Sequence, residues 1–466
     1  MNMRETLKSA TLFLGLVGFA AWPLWAQNRK APDPLTDETV AVLKGYVRID
    51  TANPPGRELR AAEYLRGLLE REDIPSEIFV SSPGRANLLA RLKAEKPTQP
   101  PLLLIHHMDV VPADPAEWSI DPFAAKERDG YLWGRGALDS KITGALHLMT
   151  LFQLKREDVR LNRDVLLLAV ADEEAGGRWG SQWMVENHWD RMKPGFVIDE
   201  GGFGLIDVFS YDPVPVYACA VDEKKVLWLK LTANGRSGHG SVPNTDNPID
   251  VLRKALARME QTFIRFGGRT PEPVRDLERA VPHPRKSPLL EAVRHNSLSV
   301  TSFQSWSGAA ATPTVNVIPD RAVATLDCRL LPGEDEQDLL AKLRRAVDDD
   351  RVRIEVTVQT RVTSDYRDYR SPLYDGLVRA VRRHDEKAVV APFLMPGATD
   401  SRFFRAKGVR CYGLVPLVLT EEEYLLMHAS DERLPLDRLE KARRIMYDWV
   451  KNFCLETDDG VDGKRR

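Results

Sequence analysis

Three short apolar runs in this chain each end in a group of acids or histidines. Leu102–Ile105 leads to His107-Met108-Asp109, Val165–Val170 to Asp172-Glu173-Glu174, and Phe196–Ile198 to Asp199-Glu200. Unbroken apolar runs this short suit strands buried on both faces, as in parallel sheets. Helical patterns lie between them. Ile142, Ala145, Leu146, Met149 and Phe152 recur at helical spacing, and Trp179–Asn187 follows the second run. Strand and helix in alternation argue for an α/β sheet with helices on both faces. Ligands of open α/β sheets sit beyond the carboxyl ends of strands, where these polar groups fall.

Gly134-Arg135-Gly136-Ala137-Leu138-Asp139-Ser140-Lys141 joins the strand-like Tyr131–Trp133 to a helix. Its glycines suit a sharp turn or a close approach. An isolated Asp139 there would be a helix N-cap. With acids and imidazoles on either side, it becomes a carboxylate suited to bridging two metal ions. His107 and Asp109 stand at i and i+2 of a strand end, so Asp109 can reach the His107 imidazole, and His106 competes for the ligand role. Acids in a row, such as Asp172-Glu173-Glu174, repel one another unless cations neutralise them. Adjacent glutamates can divide two tasks, one ligating metal and the other taking a proton from water. His428, in His428-Ala429-Ser430-Asp431-Glu432-Arg433, completes a set of two histidines and three carboxylates that suits two zinc ions.

The chain has 466 residues, enough for two or three domains, and 43% hydrophobic with 29% charged residues is an ordinary globular balance. The formal net charge is -2 with both signs interspersed, which gives no footprint for nucleic acid. The four cysteines are widely separated and form no CxxC, so neither a thiolate zinc site nor a redox motif is indicated; Cys219, Cys328 and Cys411 read as buried. Arg4 and Lys8 precede an apolar run from Ala10 to Ala26. It reads as a signal peptide or, uncleaved, as a membrane anchor, and either places the protein in an exported compartment.

Helices are expected over Thr36–Ile49 and Glu58–Glu70, strands over Ser76–Val80 and Asn87–Leu92, and a glycine turn at Asp199-Glu200-Gly201-Gly202. After about Val221 the pattern changes. Strands at Val226–Thr232, Ser297–Phe303, Ala322–Leu330 and Arg351–Gln359, with helices at Pro248–Phe263 and Asp335–Val347, describe a small α+β domain. Gly267–Ser287, rich in Pro and Arg, reads as a loop excursion. Pro372–His384, a strand at Val409–Leu414 and a helix at Leu436–Cys454 return to the first pattern, and the polar tail reads as disordered.

Together these motifs, in this order, resemble the dinuclear-zinc exopeptidase and deacylase family of aminoacylase, glutamate carboxypeptidase, dipeptidases and yeast vacuolar carboxypeptidase S, with the carboxypeptidase S branch nearest. The resemblance runs from about Thr36 to Val450 and implies a catalytic domain with a mixed sheet flanked by helices and an inserted α+β lid and dimerisation domain. The implied division is 1–34 leader and linker, 35–221 and 361–456 catalytic domain, 222–360 lid, and 457–466 tail. Two Zn2+ per subunit are implied, with His107 on one, Asp139 bridging, Glu174 and His428 as further ligands, and the last ligand at Asp199 or Glu200, Asp199 preferred. Glu173 is then the general base. Ser237-Gly238-His239-Gly240-Ser241 resembles the lid motif whose histidine, in dimeric members, reaches the second subunit's site and stabilises the oxyanion. Asn316 and Arg329 resemble substrate-holding lid residues, and Gly397 opens a loop, Gly397-Ala398-Thr399-Asp400-Ser401-Arg402, of the kind found near the pocket. A homodimer through the lid follows from the resemblance, unless the Gly267–Ser287 excursion covers that surface and leaves a monomer.

The expected activity is hydrolysis of an amide in a small substrate by a metal-activated water. A carboxypeptidase or dipeptidase is the first form and an aminoacylase-like N-acyl amino acid hydrolase the second. A noncatalytic binding protein on this fold would be expected to lack the base, and Glu173 is present.

Overall fold

The computed structural model describes residues 33–242, 244–264, 270–307, 315–359 and 368–455. The N-terminal apolar run, read as signal peptide or anchor, and the polar tail lie outside them. Among the described residues no helix is long and apolar enough to cross a membrane.

The chain folds around an eight-stranded mixed sheet. Its strands, from edge to edge, are Ser76–Ser82, Arg85–Leu92, Val165–Val170, Leu102–His107, Phe196–Leu205, Arg410–Leu419, Val216–Glu223 and Val389–Met395. The Leu102–His107 strand lies between two parallel neighbours, with His107 opposite Val170 and Leu104 opposite Ile198. All residues of the Leu102–His107 and Val165–Val170 strands are buried. Helices cover both faces, which is why these runs are apolar without alternation. Lys141–Arg156 is buried almost throughout, and Pro34–Val47 and Leu439–Cys454 pack against it. Across the sheet, Met184, Val185, Met192 and Phe404 close a second core with Leu103, Ile105, Leu166 and Leu168.

A second body carries a four-stranded antiparallel sheet in the order Ser297–Trp306, Arg321–Leu330, Lys225–Asn234, Val352–Gln359. Helices Pro248–Ile264 and Glu336–Val347 cover one face, burying Leu229, Leu231, Leu252, Met259, Leu339 and Leu343. The other face leaves Trp228 and Val358 exposed. The α+β reading of this segment therefore matches the described residues. Its expected start at 222 differs: Asp222 and Glu223 end a strand of the large sheet, and the second body begins at Lys225.

Gly267–Ser287 is not a loop over its described part. Glu272–Ala280 is a helix, followed by Pro288–Arg294. Val274, Leu277, Val281, Leu290 and Val293 are buried in the core of the large-sheet domain, and the first helix packs on Val389–Met395. The chain thus leaves the lid, crosses to the catalytic body and returns. Pro273 misled the sequence reading because it sits in the first turn, where a missing N–H costs nothing. A second difference is the expected glycine turn after Glu200. The strand continues to Leu205. Gly202 is needed there because a Cβ would lie 1.9 Å from the Ala218 carbonyl oxygen. All four cysteines are buried thiols.

Candidate active site

The Tyr131–Trp133 strand pairs with Arg433–Pro435, which brings the residues just after His428 beneath the Gly134–Asp139 turn. Glu432 organises that turn. Its Oε2 accepts from Arg135 Nη1 at 2.6 Å and Gly136 N at 3.0 Å, and its Oε1 from Leu138 N at 2.6 Å and Asp139 N at 3.2 Å. Arg135 Nη2 also donates to the His428 carbonyl at 3.3 Å. Glu432 is 0% exposed. In sequence it resembled any acid of a polar loop, and nothing local marked it as buried. Glu432→Ala is expected to lower stability by about 3–5 kcal/mol, because it strands a buried arginine and three backbone N–H groups. Urea denaturation of the metal-free variant measures this.

The turn delivers Asp139 between two imidazoles. Oδ1 is 3.0 Å from His107 Nε2, and Oδ2 is 3.0 Å from His428 Nε2. Asp139 therefore caps no helix; Ser140 holds the N-cap position and makes no side-chain cap. His107 sits at the end of its strand with Nδ1 2.9 Å from the Asp109 carbonyl oxygen and 3.6 Å from the Asp109 carboxylate. A hydrogen on Nδ1 leaves the Nε2 lone pair facing the cavity. The Asp109 carboxylate, expected to reach His107, is used mainly elsewhere. It accepts from Glu173 N and Glu174 N, each at 3.1 Å, and from Asn53 Nδ2 at 2.8 Å. It fixes the turn that presents both glutamates. His106 faces Tyr46 Oη at 3.2 Å and does not join the cluster.

Asp172, in the left-handed region with φ 69°, pairs with Arg85 at 2.6 Å and accepts from Trp179 N, so it belongs to the scaffold. Glu174 Oε1 is 3.3 Å from His428 Nε2. Glu200 Oε2 is 3.3 Å from His107 Nε2. Asp199, the preferred ligand in the sequence reading, turns to the opposite side of the strand. Its Oδ2 accepts from Ser401 N at 2.9 Å and Ser401 Oγ at 2.7 Å, and its Oδ1 from Glu200 N at 2.8 Å. Strand alternation allows only one of the pair to face the cavity, and it is Glu200.

The electrostatics favour cations. Burial drives the Glu173 pKa well above the usual carboxylate value. Burial, with the Asp139 charge added, pushes Glu174 up to about 7. Burial pulls His107 down, but Glu200, Asp109 and Asp139 outweigh it and raise its pKa well above the usual value. Hydrogen bonds to Asp139 and Glu174 raise His428 to about 10. A cluster of buried acids that can be neutral only by binding protons suits divalent metal. The donors divide naturally. His107 and Glu200 flank one oxygen of Asp139, and Glu174 and His428 flank the other. His107, Asp139 and Glu174 offer atoms within 4.8 Å of one another, as do His107, Glu173 and Glu200. Two histidines and two carboxylates around a shared carboxylate fit a pair of zinc-sized ions.

The cluster lies at the wall of a cavity of about 830 Å³ between the two bodies. Phe203, Met395, Tyr424 and Met427 from the large-sheet domain face Trp228 and Val358 from the lid. Arg329 and Gly397 also line it. Arg329 lies flat against Asp327 through Nε at 2.8 Å and Nη2 at 3.1 Å. His239 and Asn316 are elsewhere. Gly238–His239 pairs with Val317–Ile318, Gly240 N donates to the Asn316 carbonyl at 2.7 Å, and neither His239 nor Asn316 lines the cavity.

The model of the family described as Peptidase family M20/M25/M40 matches residues 103–452. N-fatty-acyl-amino acid synthase/hydrolase PM20D1 of Xenopus tropicalis is 29% identical over 457 residues, covering 92% of this chain and 89% of its own. Probable carboxypeptidase S-like 2 of Dictyostelium discoideum is 27% identical over 377 residues, covering 76% and 71%. In fold, the M20 family metallo-carboxypeptidase Sso-CP2 from Sulfolobus solfataricus superposes with a TM-score of 0.68 at 20% identity, over 90% of this chain and 99% of that one.

Proposed function

The chain belongs to peptidase family M20/M25/M40 and is a hydrolase, and from that premise we propose that it cleaves the amide bond of an N-acyl amino acid whose acyl group is apolar. The observation that carries the reading is the cavity. Glu173, Glu174 and Glu200 stand at one wall, Arg329 on the lid, and an apolar lining between them. The guanidinium of Arg329 suits the substrate carboxylate. The residues Phe203, Met395, Tyr424, Met427, Trp228 and Val358 suit an apolar acyl group better than the polar backbone of a peptide. The likeness to the Xenopus N-fatty-acyl-amino acid synthase/hydrolase supports this form; the likeness to the Dictyostelium carboxypeptidase S-like protein supports the carboxypeptidase form that the sequence put first.

His107, Asp139 and Glu200 would hold one metal ion, and Asp139, Glu174 and His428 the other. Two divalent ions there supply Lewis acidity toward the substrate carbonyl and toward water. Glu173 takes the proton of the attacking water and returns it to the departing amine. Asp109 holds the Glu173–Glu174 turn through their backbone N–H groups, so the base and its neighbouring ligand move as one unit. His239 and Asn316 enter this scheme through lid closure or through a second copy of the chain.

Hydrolysis rates for N-acyl amino acids of increasing chain length, set beside dipeptides, test the reading. The expected result is a kcat/KM that rises by up to about fourfold per methylene until the lining is filled, since each buried methylene contributes about 0.8 kcal/mol. Turnover of dipeptides with none of acyl amino acids would overturn it in favour of a dipeptidase.

A further inference from the structure

We propose that Arg402 is a positioning residue for the base, holding the Glu173 carboxylate in its working orientation from the opposite wall. The inference rests on Glu173 being the base. Arg402 is the second residue of the short Ser401–Arg405 helix, which follows the Gly397–Asp400 loop. Its side chain is 7% exposed, unusual for an arginine that lines a cavity. Nη1 donates to the Thr399 carbonyl at 2.9 Å and lies 3.4 Å from Glu173 Oε1. The guanidinium stacks over Phe403 at 4.7 Å. Among the described residues no other side chain hydrogen-bonds to the Glu173 carboxylate.

Asp400 stands behind the guanidinium. It is 2% exposed, and neither of its carboxylate oxygens has a hydrogen-bond partner among the described residues. Gly177, three residues beyond Glu174, makes the room. A Cβ at Gly177 would lie 2.8 Å from Phe403, 3.1 Å from Asp400 Oδ1 and 3.3 Å from Arg402 Nη2, and its φ of 74° already disfavours a side chain. The turn that carries the base is thus shaped to admit the arginine that orients it. A glutamate has several rotatable bonds and faces open space in a cavity of this size. Without a partner its oxygen wanders, and a base must stand within hydrogen-bond reach of the proton it takes.

The test uses the full chain with its metals. Arg402→Met is expected to lower kcat by about 100-fold, the cost of roughly 1 Å of misplacement, with KM and metal content unchanged. Added to Glu173→Gln it should lower the residual rate no further, because it acts through a carboxylate that is already gone. External guanidinium should restore part of the rate of Arg402→Ala. A second readout needs no activity: Arg402→Met should lower the Tm in the wild-type background, and by clearly less in the Glu173→Gln background, where the contact between the two side chains is already altered. Gly177→Ala, which displaces the guanidinium without deleting it, should lower kcat in the same way if Arg402→Met does not fold. A wild-type kcat in Arg402→Met, losses that multiply with Glu173→Gln, or a change confined to KM would overturn the proposal; the last would make Arg402 a substrate contact. If the wild-type enzyme hydrolyses no amide, the reading of the site fails, while the Tm coupling still reports on the pair.

Discussion

Glu173→Gln is expected to lower turnover by about 10²–10⁴-fold, the range that a positioned general base contributes, while the protein keeps its fold and its full metal content. The amide preserves the shape and the backbone bonds to Asp109 but cannot accept a proton near neutral pH. Glu173 shares a cluster with His107 and Glu200 whose offered atoms lie within 4.8 Å of one another, so distance alone would also permit a ligand role. Metal analysis beside kinetics separates the two. Two equivalents retained with turnover lost identifies a base; one equivalent lost identifies a ligand. Comparable turnover in both proteins would remove Glu173 from the chemistry.

Asp139→Ala is expected to lose both metals together. Each of its oxygens faces a different histidine at 3.0 Å, so the substitution takes one ligand from each half of the centre. The fall in metal affinity should exceed the roughly 10–100-fold that follows loss of a group standing behind a ligand. Equilibrium dialysis followed by metal analysis measures it. One ion fully retained would make Asp139 a terminal ligand.

The residues of the centre were legible because they break a rule. Strands buried on both faces admit no charge without a reason, so His107, Glu173, Glu174 and Glu200 stood out at strand ends. Choosing between Asp199 and Glu200 required the phase of a strand that the glycines after it disguised as a turn. Val389–Met395 went unseen because Pro392 argues against a strand; an edge position tolerates it. The Glu272–Ala280 helix was hidden by prolines that begin it. Glu432 and Arg402 were hidden for a different cause. A buried charge and a solvated one are the same letter, and only the fold says which acid holds a turn or which arginine faces a base.

The pairing of Arg135 with Glu432 joins residues 297 positions apart. Its consequence belongs to the time before the enzyme is complete. Asp139 owes its presentation to an acid near the end of the chain, and His428 is the last ligand to be synthesised. A nascent chain can complete the central strands around Leu102–His107 and Val165–Val170 while its catalytic centre is still open. Contacts so distant in sequence form late, after the loop between them has been closed. Competence for hydrolysis therefore arrives only when the C-terminal segment docks, so a truncated or half-made chain carries a sheet without a centre.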